Sequence, residues 1–127
     1  MTDYLLCDTC VIIDFMNERS QVLNELMENE TILFINSIIE MELLQGARDK
    51  KELQVIENKL QSFRLLNMQQ DIFDLATEQT RNYRLSHNLA LPDASISSTT
   101  IYYQIPLFTY NLKDFRFLPD IQLPEYD

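Results

Sequence analysis

Four short apolar runs, each separated from the next by stretches of helical periodicity, constrain the fold of this chain more than any other feature. The runs are Tyr4-Leu-Leu-Cys7, Thr31-Ile-Leu-Phe-Ile35, Arg64-Leu-Leu-Asn67 and Leu107-Phe-Thr109, each the length of a strand. After the first, Thr9 to Phe15 reads as a short helix, and Val22, Leu23, Leu26 and Met27 recur at helical spacing. Asn36 or Ser37 can cap a helix that runs to about Gly46. Leu53, Ile56, Leu60 and Phe63 form the apolar stripe of another helix. Ile72, Phe73, Ala76 and Tyr83 mark a long amphipathic helix from about Asp71 to Ser86. Pro92 opens the last helix, in a first-turn position that proline suits. Strands that alternate with helices imply a parallel, twisted sheet with helices on both faces. The expectation is one α/β domain over residues 1–127, its sheet of four or five strands. The fifth would be a short edge strand near Ile121, before Pro124. One glycine and four prolines leave too little turn chemistry for a many-stranded β protein.

The first strand runs straight into its helix at Asp8, where an N-capping residue belongs. In a parallel sheet that junction lies at the carboxyl end of a strand, where open α/β proteins bind their ligands. Three later acidic positions could converge there. On a helical wheel, Glu42 lies within about 60° of Ile35, Ile38, Ile39 and Gly46, on the inward stripe, whereas Glu40 falls on the opposite face. A carboxylate aimed inward is costly unless it is paired or binds a metal. Asp93 lies in the first turn of its helix, where it complements the dipole. The small residues Ser95, Ser97, Ser98, Thr99 and Thr100 would let that helix pack closely on the sheet and bring Asp93 toward Asp8. Asn111 and Asp114 follow the fourth strand and either cap a turn there or complete a polar site. Asp8, Glu42 and Asp93, with Asn111 or Asp114 as a further ligand, offer hard oxygen donors that suit Mg²⁺ or Mn²⁺ rather than zinc.

Composition narrows the function. No apolar run reaches membrane-spanning length, and the start Met-Thr-Asp lacks the basic region of a signal peptide, so a cytoplasmic protein is expected. There is no glycine-rich phosphate loop and no nucleophile elbow. The sole histidine, His87, reads as a surface residue in a loop. Twenty acidic against ten basic residues leave a formal net charge of −10, a field that repels nucleic acid at long range and favours cations or a basic partner.

Taken together these residues resemble the PIN-domain family, and within it the VapC-type toxins of toxin–antitoxin pairs. Leu6-Cys-Asp8-Thr-Cys-Val-Ile-Ile-Asp looks like the family's opening strand and first aspartate. Ile35 to Ala47 carries Glu42-Leu-Leu-Gln-Gly46, similar to its Glu-Leu-x-x-Gly helix. Leu91-Pro-Asp93-Ala-Ser-Ile resembles its third acidic block, and Pro106 to Phe115 its closing Thr-x-Asn/Asp motif. Two positions depart from the pattern. Asn111 stands where a fourth acid is common, and Ile39 where a polar residue is common.

The resemblance implies a metal-dependent endoribonuclease, with Asp8, Glu42 and Asp93 as catalytic residues holding one or two Mg²⁺ or Mn²⁺ ions. It also implies a homodimer, a cognate antitoxin, and a structured RNA substrate such as transfer or ribosomal RNA. Arg48, Lys50, Lys51, Arg81, Arg84, Lys113 and Arg116 are the candidates for contacts to the RNA backbone. Two rivals stand beside this reading. One is a thiol–disulfide oxidoreductase using Cys7-x-x-Cys10, whose plainer interpretation is two packed thiols. The other is a catalytically degraded PIN-fold binding module, which Asn111 would favour.

Overall fold

A computed structural model describes residues 3–126. Its elements run in the expected alternation: β1 (Tyr4–Cys7), α1 (Thr9–Met16), α2 (Val22–Glu28), β2 (Ile32–Ile35), α3 (Ser37–Gln45), α4 (Lys50–Leu60), β3 (Arg64–Leu65), α5 (Gln70–His87), α6 (Leu91–Tyr103) and β4 (Leu107–Phe108). A short 3-10 turn follows at Leu112–Asp114. His87 is therefore the last residue of α5, not a loop residue. It stays on the surface, stacked on Phe117 at 4.2 Å.

The four strands form one parallel sheet in the order β3-β2-β1-β4. Leu5, Leu6 and Cys7 are each fully buried. Successive strand residues point to opposite faces, so the central strand is covered on both. A fifth strand near Ile121 does not form among the described residues. The tail instead gives one backbone bond to the sheet, from Leu107 N–H to the Gln122 carbonyl at 2.9 Å. Pro124 cannot donate, so it offers no continuation of a ladder beyond that point.

The chain moves outward from β1 to β2 and β3, then returns to the far side of β1 for β4. The crevice between β1 and β4 is thus the topological switch point of the sheet, the place where open parallel sheets bind ligands.

The helix caps set how the connections leave the sheet. Asp8 caps α1, accepting from Thr9 N–H at 2.8 Å. Asn36, buried at the end of β2, caps α3 by accepting from Ile39 N–H at 2.9 Å. Its amide also donates to Thr99 Oγ1 at 2.9 Å, tying α3 to α6. The hydroxyls of α6 meet partners on α5 and at the start of α3, while its Ile96 joins the core with the strand residues. Gln79 of α5 is buried and accepts from both Ser97 and Ser98 at 3.1 Å.

Candidate active site

The switch point is closed by a short side-chain bond. Thr109, just past β4, donates from its hydroxyl to Asp8 Oδ2 at 2.8 Å, joining residues 101 apart in the chain. Thr109 is itself oriented by Asn111 N–H, which donates to its oxygen at 3.0 Å. Asp8 is 5% exposed, and its two oxygens accept from Thr9 N–H, the Thr109 hydroxyl and, at 3.6 Å, the Cys10 thiol. A buried carboxylate with this many donors is held in one orientation.

Glu42 comes to the same place from α3. Its Oε1 accepts from the Thr9 hydroxyl at 2.8 Å. The inward stripe of α3 is carried by Ile39 and Leu43, both buried, while Glu42 is half-buried at its margin. The two glutamates lie on different faces, as the helical wheel has them, but both are half-buried, so the wheel places Glu42 too deep and Glu40 too far out. Glu40 lies elsewhere, in a groove with Leu44, Glu57 and Leu60. Among the described residues Glu42 makes no ion pair, which removes the paired-charge explanation for it.

Asp93, half-buried in the first turn of α6, reports that the acids converge. Burial pushes its carboxyl up to about 6, and the charges of Asp8, Asp114 and Glu42 add to the rise. Of the two residues expected after the fourth strand, the one whose charge acts on Asp93 is thus Asp114. Asn111 is exposed and makes no side-chain cap.

Four acids from separate parts of the chain therefore share one field. Among the described residues, however, no three His, Cys, Asp or Glu side chains already stand as a ligand cage. Asp8 and Glu42 are each turned toward hydroxyl or amide donors, Asp8 also toward the Cys10 thiol, and like charges gain nothing by closer approach. The donor chemistry still fits a hard divalent cation: every candidate ligand offers oxygen, and a crowd that raises the proton affinity of Asp93 also attracts a metal.

The expected basic residues divide by position. Arg48 and Lys51 line an open groove of about 500 Å³ that starts at Glu42, with Ile13, Leu43 and Val55 forming its apolar floor. Arg48 is already engaged by Glu52 at 3.0 Å. Lys50, Lys113 and Arg116 are exposed. Arg81 lines a different groove, beside Phe73 and Leu91. Arg84, also exposed, donates to the Asn88 and Leu89 carbonyls at 3.3 Å at the end of α5.

Sequence reasoning did not single out Thr9, because a threonine after an N-cap looks like any first-turn residue. Neither the redox nor the packing reading of Cys10 anticipates its place in the site, where the thiol faces Asp8 and lies 3.8 Å from Thr109 Oγ1. Both cysteines are free, and burial raises the pKa of each. A redox dithiol needs a lowered thiol pKa and an accessible sulfur. Cys7 has neither, being fully buried.

Comparisons with known proteins give the fold and the family. Ribonuclease VapC19 of Mycobacterium tuberculosis is 28% identical over 123 residues, covering 94% of this chain and 98% of its own length. A toxin–antitoxin complex from Klebsiella pneumoniae contains a chain with TM-score 0.72 and 29% identity, the match covering 92% of this chain and 94% of that one. VapBC2 from Rickettsia felis, solved with a DNA fragment from its promoter, has the same fold, with TM-score 0.81 at 20% identity over 98% of this chain and 99% of the other. The PIN domain model matches residues 5–118, from β1 past the turn that carries Asp114, and the chain belongs to that family.

Proposed function

We propose that this protein is a metal-dependent endoribonuclease, the toxin of a toxin–antitoxin pair. The observation that carries the reading is the shared field at the switch point, where Asp8, Glu42 and Asp114 all raise the proton affinity of Asp93. The VapC ribonucleases it resembles supply the substrate class, and the VapBC complexes the kind of partner. Asp8, Glu42 and Asp93 would hold Mg²⁺ or Mn²⁺, with Asp114 as a further oxygen ligand. When bound, such an ion polarises a phosphodiester and lowers the pKa of a water for in-line attack.

The residues of the chain do the rest. Thr109 and Thr9 fix the orientation of the Asp8 carboxylate. Thr9 keeps Glu42 beside it. In the metal-free site the Asp93 carboxyl would hold its proton up to about pH 6, and positive charge at the site would favour its release. Arg48 and Lys51 put cationic groups on the groove that leads to Glu42, where an RNA backbone would otherwise meet an acidic surface. A homodimer is part of the proposal, as is inhibition by a cognate antitoxin.

The test is incubation with a mixture of transfer and ribosomal RNA, in Mg²⁺ or Mn²⁺ and in EDTA, with Asp8→Asn as the inactive reference. Discrete fragments are expected only with metal and only from the wild type. Intact RNA in every lane, from folded protein that binds no Mn²⁺, would favour the binding module.

A further inference from the structure

The geometry points to Thr9 as a positioning residue that sets the spacing of Asp8 and Glu42 and so tunes the affinity of the site for a divalent cation. The inference rests on the metal reading above and names a residue through which it works. Thr9 touches both acids: its backbone N–H donates to Asp8 Oδ1, and its hydroxyl donates to Glu42 Oε1, each at 2.8 Å. One residue at the head of α1 thus bridges two carboxylates carried by different elements.

The two acids depend on it unequally. Asp8 is also held by the Thr109 hydroxyl and the Cys10 thiol, so losing one donor leaves it in place. Glu42 has a longer, freer side chain and lies half-buried at the mouth of an open groove. Among the described residues the Thr9 hydroxyl is its one side-chain hydrogen-bond partner, and no cation pairs with it. Without that hydroxyl, repulsion from Asp8 and the freedom of three side-chain torsions both favour swinging outward. A cation would then have to recruit Glu42 from solvent. Groups that orient metal-binding carboxylates in this way typically change affinity by about 10–100-fold when removed.

Thr9→Val keeps nearly the same shape and deletes only the donor. Thr9→Ala deletes it without a β-branch, in case valine fits poorly, and Thr9→Ser retains it. The measurement is a titration of Mn²⁺ alone, followed by the rise in melting temperature, and then RNA cleavage at two Mn²⁺ concentrations. The Mn²⁺ concentration for half the thermal shift should rise about tenfold or more in Thr9→Val and Thr9→Ala, and return to wild type in Thr9→Ser. Cleavage by Thr9→Val should be weak at low Mn²⁺ and recover at high Mn²⁺, with KM for RNA unchanged. An unchanged half-point in Thr9→Val and Thr9→Ala, while the wild type shifts, would overturn the role of Thr9 and leave the metal reading standing. No shift in the wild type would overturn both.

Discussion

Asp93 is the most sensitive single reporter of the site. Its carboxyl sits at about 6 against an ordinary 3.8, because burial and three neighbouring carboxylates disfavour its charge. The folded chain therefore holds that proton more tightly than the unfolded chain does. The stabilisation is fully present below about pH 4 and is lost as pH rises through about 6. In EDTA, the melting temperature of Asp93→Asn should exceed that of the wild type at pH 7.5, and the gap should close as pH falls toward 4. A variant that melts lower than the wild type at pH 7.5 would mean that Asp93 is not repelled by its neighbours. Glu42 and Glu40 provide a paired test: Glu42→Gln should abolish RNA cleavage, whereas Glu40→Gln, on another face, should leave it near wild type. Equal losses in a cleavage assay would remove Glu42 from the site. The cysteines separate as well. Cys10→Ser keeps a donor for Asp8 and should spare activity, while Cys7→Ser puts a hydroxyl in the core and should cost about 1–3 kcal/mol in urea unfolding. Single residues were legible when their chemistry was out of place locally, as with an acid on an apolar helix face. Thr9 was not, since its significance lies in a bond to a residue 33 positions away.

Between elements, stability rests on buried polar bonds that periodicity does not reveal. Gln79 looks like a polar residue on a long amphipathic helix, yet it is 6% exposed and receives two hydroxyls from α6. Gln79→Leu would leave the Ser98 hydroxyl without this partner in a buried seam. The expected loss is about 1–3 kcal/mol by chemical denaturation, far from the site and with the metal half-point unchanged. The ends of elements carry a second signature. The chain's single glycine, Gly46, does not occupy a left-handed position, and α5 and α6 end instead on Asn88 and Gln104, each with φ of 56°. Asparagine tolerates that conformation; glutamine tolerates it poorly. The boundaries of α5 were legible to within a residue from its stripe. The serine and threonine run of α6 was legible as close-packing, but its partners were not, because small side chains fit a sheet and a helix equally well.

Over the whole molecule the acidic excess has two consequences. Cations should stabilise the metal-free protein generally by screening its −10 charge, and Mg²⁺ or Mn²⁺ should do so specifically through the site. At about 100 times the dissociation constant, a bound ion contributes roughly 2.7 kcal/mol. For a domain of this size that corresponds to a rise in melting temperature on the order of 10 °C. The rise should persist in added NaCl and disappear in Asp8→Asn; a rise that survives the substitution would locate the ion elsewhere on the surface. The parallel architecture was legible because strand-length runs alternate with helical stripes. The choice between four strands and five was not, since an edge segment with one backbone bond and a short edge strand have the same local sequence.

The crevice between β1 and β4 also sets a schedule. Asp8 follows the first strand of the sheet to be synthesised and Thr109 follows the last, 101 residues later. A chain still on the ribosome can therefore display Asp8, Glu42 and Asp93 without the strand that seats the first of them. Because so long a loop must close before the sheet's final pairing forms, completion of the site is among the slow, late events of folding. The expected consequence is that the proposed nuclease gains activity only after β4 is released and docks, so a translation stalled before residue 107 should yield no RNA cleavage.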